Sequence, residues 1–170
     1  MEQKYKTLEF IEQGEFSKEY SMYSCSDNGE IYQMSIIDYS YFDDFPSEIC
    51  DLVHLKKLYF TDDTIWERRS KRMNPADVIL PETIGELRDL EELYLPGNGI
   101  STLPDSIGNL RKLKILNLER NGFKDFPNGF THLKELEVLN VSGSAFSELT
   151  FVLVVSKIPF VPRVENGEYS

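Results

Sequence analysis

The stretch LEELYLPGNGISTLPDSIGNLRK, from Leu90 to Lys112, is followed without a break by LKILNLERNGFKDFPNGFTHLKE, from Leu113 to Glu135. These two in-register copies of 23 residues constrain the chain more than any other feature. A fixed period of this size marks a solenoid, in which each repeat is one supersecondary unit stacked on the next.

With Leu90 and Leu113 as position 1, the copies match at positions 1, 4 and 6 (Leu90, Leu93, Leu95; Leu113, Leu116, Leu118) and at 9 (Asn98, Asn121). They match in kind at 11 (Ile100, Phe123), 14 (Leu103, Phe126), 15 (Pro104, Pro127), 18 (Ile107, Phe130) and 21 (Leu110, Leu133). The alternation at 4 and 6 predicts a short strand with one face inward, while 5, 7 and 8 face outward. Asn at position 9 stands where the chain leaves the strand. Its amide can both donate to and accept from turn backbone groups that would otherwise be buried unpaired, so stacked copies predict an internal asparagine ladder. Pro104 and Pro127 favour an extended chain and carry no N–H. One such coil cannot bury its own core, so its stability comes from its neighbours.

This pattern resembles the leucine-rich repeat, and the LPxxIGxL half is similar to its 23-residue intracellular, Ras-binding-type class. The resemblance implies an α/β solenoid: a short horseshoe with parallel concave strands, an N-terminal hairpin cap and an irregular convex side. It also implies a non-enzymatic protein-interaction module that binds a protein partner on the concave face.

Traced backwards, LKKLYFTDDTI (Leu55 to Ile65) carries the first-half pattern and LPETIGELRD (Leu80 to Asp89) the second half, so one coil of 35 residues holds an insertion. Asp63 takes the Asn position there. FPSEICDLVH (Phe45 to His54) repeats the second half again, and its strand is expected at Ile31 to Ile36 with Met34 at position 4 and Tyr39 in place of Asn. Before it, Ser26-Asp27-Asn28-Gly29 between two runs rich in Tyr, Met and Ile signals a hairpin. Residues 3–13 could form a short helix burying Leu8 and Ile11.

Traced forwards, LEVLNVSGSAFSEL (Leu136 to Leu149) begins a further coil, with Ser144 replacing Asn and Thr150 replacing Pro. The following FVLVV (Phe151 to Val155) either packs over the last coil, forms an edge for a second copy, or continues into a longer array. The expected organisation is an N-terminal cap over 1–30, a solenoid of about five coils over 31–155 with an insertion at 66–78, and a tail over 156–170.

A net charge of −11 argues against broad nonspecific binding to nucleic acid or an anionic membrane, since phosphate affinity needs a basic surface. The longest fully apolar run is five residues, too short to span a bilayer, and Met1 to Ile11 is charged throughout, unlike a leader. Cys25 and Cys50 lack the clustered spacing of a disulfide-stapled cap, which favours free thiols and a cytoplasmic setting over a Cys25–Cys50 bridge. Cys50 takes the coil position of Gly85 and Gly108, as a small packing residue.

No nucleophile, metal-ligand or phosphate-cradle pattern is present, and no cofactor is expected. Pro96-Gly97-Asn98-Gly99 has no third glycine at Thr102 and is better read as a relaxed turn around Asn98. His54 and His132 share one coil position and have no ligand partner at close spacing, which reads as a surface role. Asp43-Asp44 and Asp62-Asp63 read as solvated loop charge.

Binding residues are better specified. Outward positions 3, 5, 7 and 8 give Lys57, Tyr59, Thr61 and Asp62 in one coil and Glu92, Tyr94, Pro96 and Gly97 in the next. They continue as Ile115, Asn117, Glu119 and Arg120, then Val138, Asn140, Ser142 and Gly143. The candidate protein-binding set is Lys57, Tyr59, Thr61, Glu92, Tyr94, Asn117, Glu119, Arg120 and Asn140. Tyr59 and Tyr94 are central to it, although the two rings could simply pack as a cross-strand pair. A second candidate is the basic insertion, where Trp66 stands near Arg68, Arg69, Lys71 and Arg72. It could grip an acidic peptide or a phosphate, including that of a nucleic acid, or be a loop that pairs with its own acidic neighbours. A further alternative is that the solenoid is the recognition part of a larger signalling or effector enzyme.

Overall fold

A computed structural model of the chain describes residues 21–37, 45–61, 78–123 and 128–144. Six strands in this set form one sheet in chain order: β1 (Ser21–Cys25), β2 (Ile31–Ile36), β3 (Lys57–Phe60), β4 (Glu92–Tyr94), β5 (Ile115–Asn117) and β6 (Val138–Asn140). β1 and β2 are antiparallel, joined through the Ser26–Gly29 turn that the sequence signals, and every later pairing is parallel. A parallel sheet built in chain order needs a return path for each strand. Here the return is the second half of each repeat.

The return paths each contain a 3₁₀ turn: Ser47–Asp51, Glu82–Glu86, Asp105–Asn109 and Asn128–His132. Pro46, Pro81 and Pro104 precede the first three with extended backbone at φ near −70° (−69°, −72° and −66°), the conformation their rings impose. Each of these three turns ends where the N–H of the following leucine (Leu52, Leu87, Leu110) donates to the carbonyl of Ile49, Ile84 or Ile107. The convex side is thus built of 3₁₀ turns, with no α-helix among the described residues.

Position 4 is in register from strand to strand: Met34, Leu58, Leu93, Leu116 and Leu139 are successive cross-strand partners. The first four are buried and Leu139 packs partly exposed at the end. They join Leu55, Leu90, Leu113, Leu95, Leu118, Ile84, Ile107 and Phe130 in one continuous core. Val78, counted from the repeat as the last inserted residue, is buried at 4 % exposure. Its N–H donates to the Asn98 carbonyl at 3.3 Å. The excursion therefore ends before Val78, which an aliphatic side chain favours by returning to the core.

The asparagine ladder forms as the repeat predicts. Asn121 Nδ2 donates to the carbonyls of Leu95 (2.7 Å) and Leu118 (2.9 Å), and its Oδ1 accepts from the N–H groups of Asn98 (3.1 Å) and Ile100 (3.0 Å). Asn98 Nδ2 donates to Phe60 O at 2.9 Å, one coil earlier, the counterpart of the bond from Asn121 to Leu95. Its Oδ1 has no partner among the described residues; by repeat numbering the equivalents of Asn98 and Ile100 are 63 and 65, which lie outside them.

On the convex side, position 19 of each coil faces position 17 of the next. Cys50 bonds Thr83, and a Cβ on Gly85 would lie 2.7 Å from Ser106 O. A Cβ on Gly108 would lie 2.6 Å from Gly129 O. Cys25 is exposed and Cys50 buried, both as free thiols.

Tyr39, Asp63, the expected helix over 3–13, Pro127, Thr150, the FVLVV segment and the 156–170 tail lie outside the described residues.

Candidate functional site

The sheet register sets out the concave face as rows. Row 3 runs Gln33, Lys57, Glu92, Ile115, Val138, and row 5 runs Ser35, Tyr59, Tyr94, Asn117, Asn140. The antiparallel β1 extends both rows, because Ser24 pairs with Gln33 and Met22 with Ser35. Met22 is 63 % exposed, and the hairpin thus adds an apolar group to the tyrosine row that repeat counting does not reach.

At the centre, Tyr59 and Tyr94 stack with ring centroids 4.3 Å apart and planes 5° from parallel. Strand spacing of about 4.8 Å brings equivalent rings to this separation without distortion. Glu92 ties the pair down. One carboxylate oxygen accepts from Lys57 Nζ at 2.7 Å, and the other accepts the Tyr94 hydroxyl at 3.2 Å. The bond to Glu92 holds the Lys57 ammonium above its usual range. Burial, and then the neighbouring Tyr59 and Glu92, push the Tyr94 hydroxyl up to about 12. Lys57, Tyr59, Glu92 and Tyr94 therefore form one pre-ordered patch with its charges internally matched.

The amides further along the row are partly committed. Asn117 Oδ1 accepts the N–H of Glu119 at 2.9 Å, and Asn140 Oδ1 accepts the N–H and hydroxyl of Ser142 at 3.1 and 2.7 Å. Each asparagine closes the end of its own strand. Asn140 Nδ2 donates to Glu119 Oε2 at 3.4 Å. Ile115 and Val138 stand beside them in row 3, Val138 at 48 % exposure.

Thr61, Glu119 and Arg120 lie just past the strand ends. Position 8 departs from the outward reading at Gly97, which is buried, whereas Arg120 is exposed. The backbone there is left-handed: φ is 70° at Gly97, 54° at Arg120 and 73° at Gly143. Glycine adopts this conformation freely; for arginine it costs roughly 1 kcal/mol. Sequence reading missed the strain, but the signal was present in the alignment of Gly97, Arg120 and Gly143.

Ion pairs outside these rows join neighbouring coils. Lys112 pairs with Asp89 at 2.6 Å and Lys114 with Glu91 at 2.8 Å, each holding its carboxylate partner below the usual range. His54 stands between Glu30 (3.4 Å) and Asp89 (3.7 Å). These exposed pairs are individually weak and act on coil register. No cluster of three or more His, Cys, Asp or Glu that could hold a metal exists among the described residues. Trp66, Arg68, Arg69, Lys71 and Arg72 lie outside them.

Residues 47–158 match the family described as leucine-rich repeat region. Among solved structures, a leucine-rich repeat protein of Leptospira interrogans, LIC12759, is 27 % identical with a TM-score of 0.52. The match covers 62 % of this chain and 24 % of that one. The leucine-rich repeat ectodomain of the Arabidopsis thaliana receptor kinase SOBIR1 is 21 % identical with a TM-score of 0.60, covering 87 % and 83 %. The PEPR1–AtPEP1 crystal structure matches at 20 % identity and a TM-score of 0.54, covering 73 % of this chain and 16 % of the matched one. The chain thus spans about a quarter or less of two of these proteins. No curated protein matches the sequence. No helix among the described residues is long and apolar enough to cross a membrane.

Proposed function

Because the chain belongs to the leucine-rich repeat family, whose fold is in general a protein-interaction module, we propose that it holds a protein partner on its concave strand face. The observation that carries this is the stacked Tyr59–Tyr94 pair, fixed by the Glu92 bridge to Lys57. Two aromatic rings already immobilised lose little conformational freedom on binding, and tyrosine offers a large apolar face with a polar tip. Lys57, Thr61, Asn117, Glu119, Arg120 and Asn140 surround the pair as its polar margin.

The activity is binding without catalysis. The ionisable groups at the centre are engaged with one another, and a tyrosine hydroxyl pushed up to about 12 is a poor base or nucleophile near neutral pH. A cytoplasmic setting is part of the proposal, supported by the two free thiols. A tagged full chain found outside the cytoplasm would overturn that part.

Affinity capture from native extract tests the proposal. A partner retained by wild type and by the convex-side variant Glu82→Ala/Asp105→Ala, but lost with Tyr59→Ala/Tyr94→Ala, is the expected result. Equal recovery with the tyrosine variant, its fold verified by circular dichroism, removes the concave face from the account.

A further inference from the structure

Resting on the concave-face reading, we propose that Arg120 reads a carboxylate: it takes the side chain of an aspartate or glutamate in an extended peptide segment of the partner.

The geometry around Arg120 is that of a residue placed against local preference. Its N–H donates to Ser142 O at 2.7 Å, as the N–H of Gly97 does to Glu119 O at 2.8 Å. The left-handed turn is therefore a property of the stacked repeat, and the coils on either side fill it with glycine. Strain held at one position by well-formed surroundings points to a role for the side chain rather than for the turn.

The same glycines clear the space around it. A Cβ at Gly143 would sit 3.0 Å from Arg120 Cγ, so a larger residue there would displace the arginine stem, and Gly97 presents no side chain from the other coil. The guanidinium projects at 68 % side-chain exposure from the end of the concave strands.

Charge accounting selects the ligand. Lys57, the cation of the strand rows, is taken up by Glu92 at 2.7 Å. Arg120 meets Glu119 through Nε alone, at 3.5 Å, a weak exposed contact. Its two terminal amino groups have no partner among the described residues, and they form the fork that matches a carboxylate. The exposed Val138 and half-buried Ile115 stand on the same strand face in row 3, five positions before Arg120's place in the repeat. A fitting segment therefore carries its apolar residue some residues away from its acid. With a net charge of −11 on this chain, a strongly acidic partner is repelled at long range. The acid is therefore isolated in an otherwise neutral or apolar sequence.

The test is a selection of random 12-residue peptides, displayed inside a carrier so that no free terminus is offered, against the full chain. Wild type is expected to select peptides with a fixed Asp or Glu, and Arg120→Gly to lose that preference. A selected peptide should bind Arg120→Gly about 10- to 100-fold more weakly, as loss of a charge-assisted bond implies. Its Asp→Asn or Glu→Gln version should bind wild type and Arg120→Gly equally, and Arg120→Lys should recover part of the loss. Peptides that need Tyr59 and Tyr94 but show no acidic preference, or an Asp→Asn loss that persists in Arg120→Gly, overturn the arginine assignment and leave the concave face standing. A selection in which no peptide depends on Tyr59 and Tyr94 overturns both. Arg120→Gly relieves a strained turn, so a failure to fold does not explain a loss of binding.

Discussion

The side-chain carbonyl of Asn121 accepts the backbone N–H of Asn98, one coil earlier, at 3.1 Å and that of Ile100 at 3.0 Å. A single amide thus closes the turn of the neighbouring coil while its NH₂ holds Leu95 O and Leu118 O.

Asn121→Ala leaves these four backbone groups short of a partner in a buried setting. At roughly 1–3 kcal/mol for each unsatisfied group and partial rescue by water, the loss is about 3–5 kcal/mol. Asn98→Ala removes the bond to Phe60 O and should also be destabilising, by about 1–3 kcal/mol. Urea unfolding of both variants checks the losses. A loss below about 1 kcal/mol for Asn121→Ala would contradict the ladder.

The two backbone extremes should respond in opposite directions. Arg120→Gly relieves the left-handed strain and should raise stability by about 1 kcal/mol, a few degrees in Tm. Gly108→Ala drives a methyl toward Gly129 O and should lower stability by about 1–3 kcal/mol. Calorimetry in which both changes are destabilising would contradict the assigned conformation at Arg120.

Thiol chemistry should separate the two cysteines. Burial pushes the Cys50 thiol up from its ordinary value, so little thiolate forms near neutral pH, whereas Cys25 is exposed. An aromatic disulfide reagent at pH 8 should modify one thiol quickly and the second only on unfolding. Two thiols reacting together in the native protein would count against the burial of Cys50.

Tyr94 predicts a stability change in alkali. Its hydroxyl titrates near 12 when folded, against an ordinary 10.0, so above about pH 10 the unfolded chain ionises first and holds fewer protons. Stability contributed by the neutral hydroxyl is full below pH 10 and falls as pH rises toward 12. Tyr94→Phe should flatten that decline, and ultraviolet titration should lose one late-ionising tyrosine. An unchanged alkaline profile would separate Tyr94 from the effect.

Period and position were the legible part of this fold. Met34 and Leu58 stand in the register counted from the repeat, and the Asn98–Asn121 ladder has the donor and acceptor roles expected of an amide at position 9. Side-chain commitments across coils were harder to read. Repeat counting presents Asn117 and Asn140 outward but not the use of their carbonyls to close their own strand ends. It puts Tyr59 beside Tyr94 but not the Glu92 bridge that pins them, which depends on the Lys57–Glu92 register. Val78 looks inserted in one dimension and lies in the core in three. The Arg120 strain accompanies a hydrogen bond to the next coil and shows in the sequence only when Gly97, Arg120 and Gly143 are set side by side.

The most direct measurement takes a partner recovered by wild type and determines its affinity for wild type, for Tyr59→Ala/Tyr94→Ala and for the convex-side Glu82→Ala/Asp105→Ala variant. Binding through the pre-ordered tyrosine pair predicts a loss of about 100-fold or more for the tyrosine variant, as for two central aromatic anchors, and no change for the convex one. Unchanged affinity in the folded tyrosine variant, or a loss confined to the convex variant, would contradict the concave-face account.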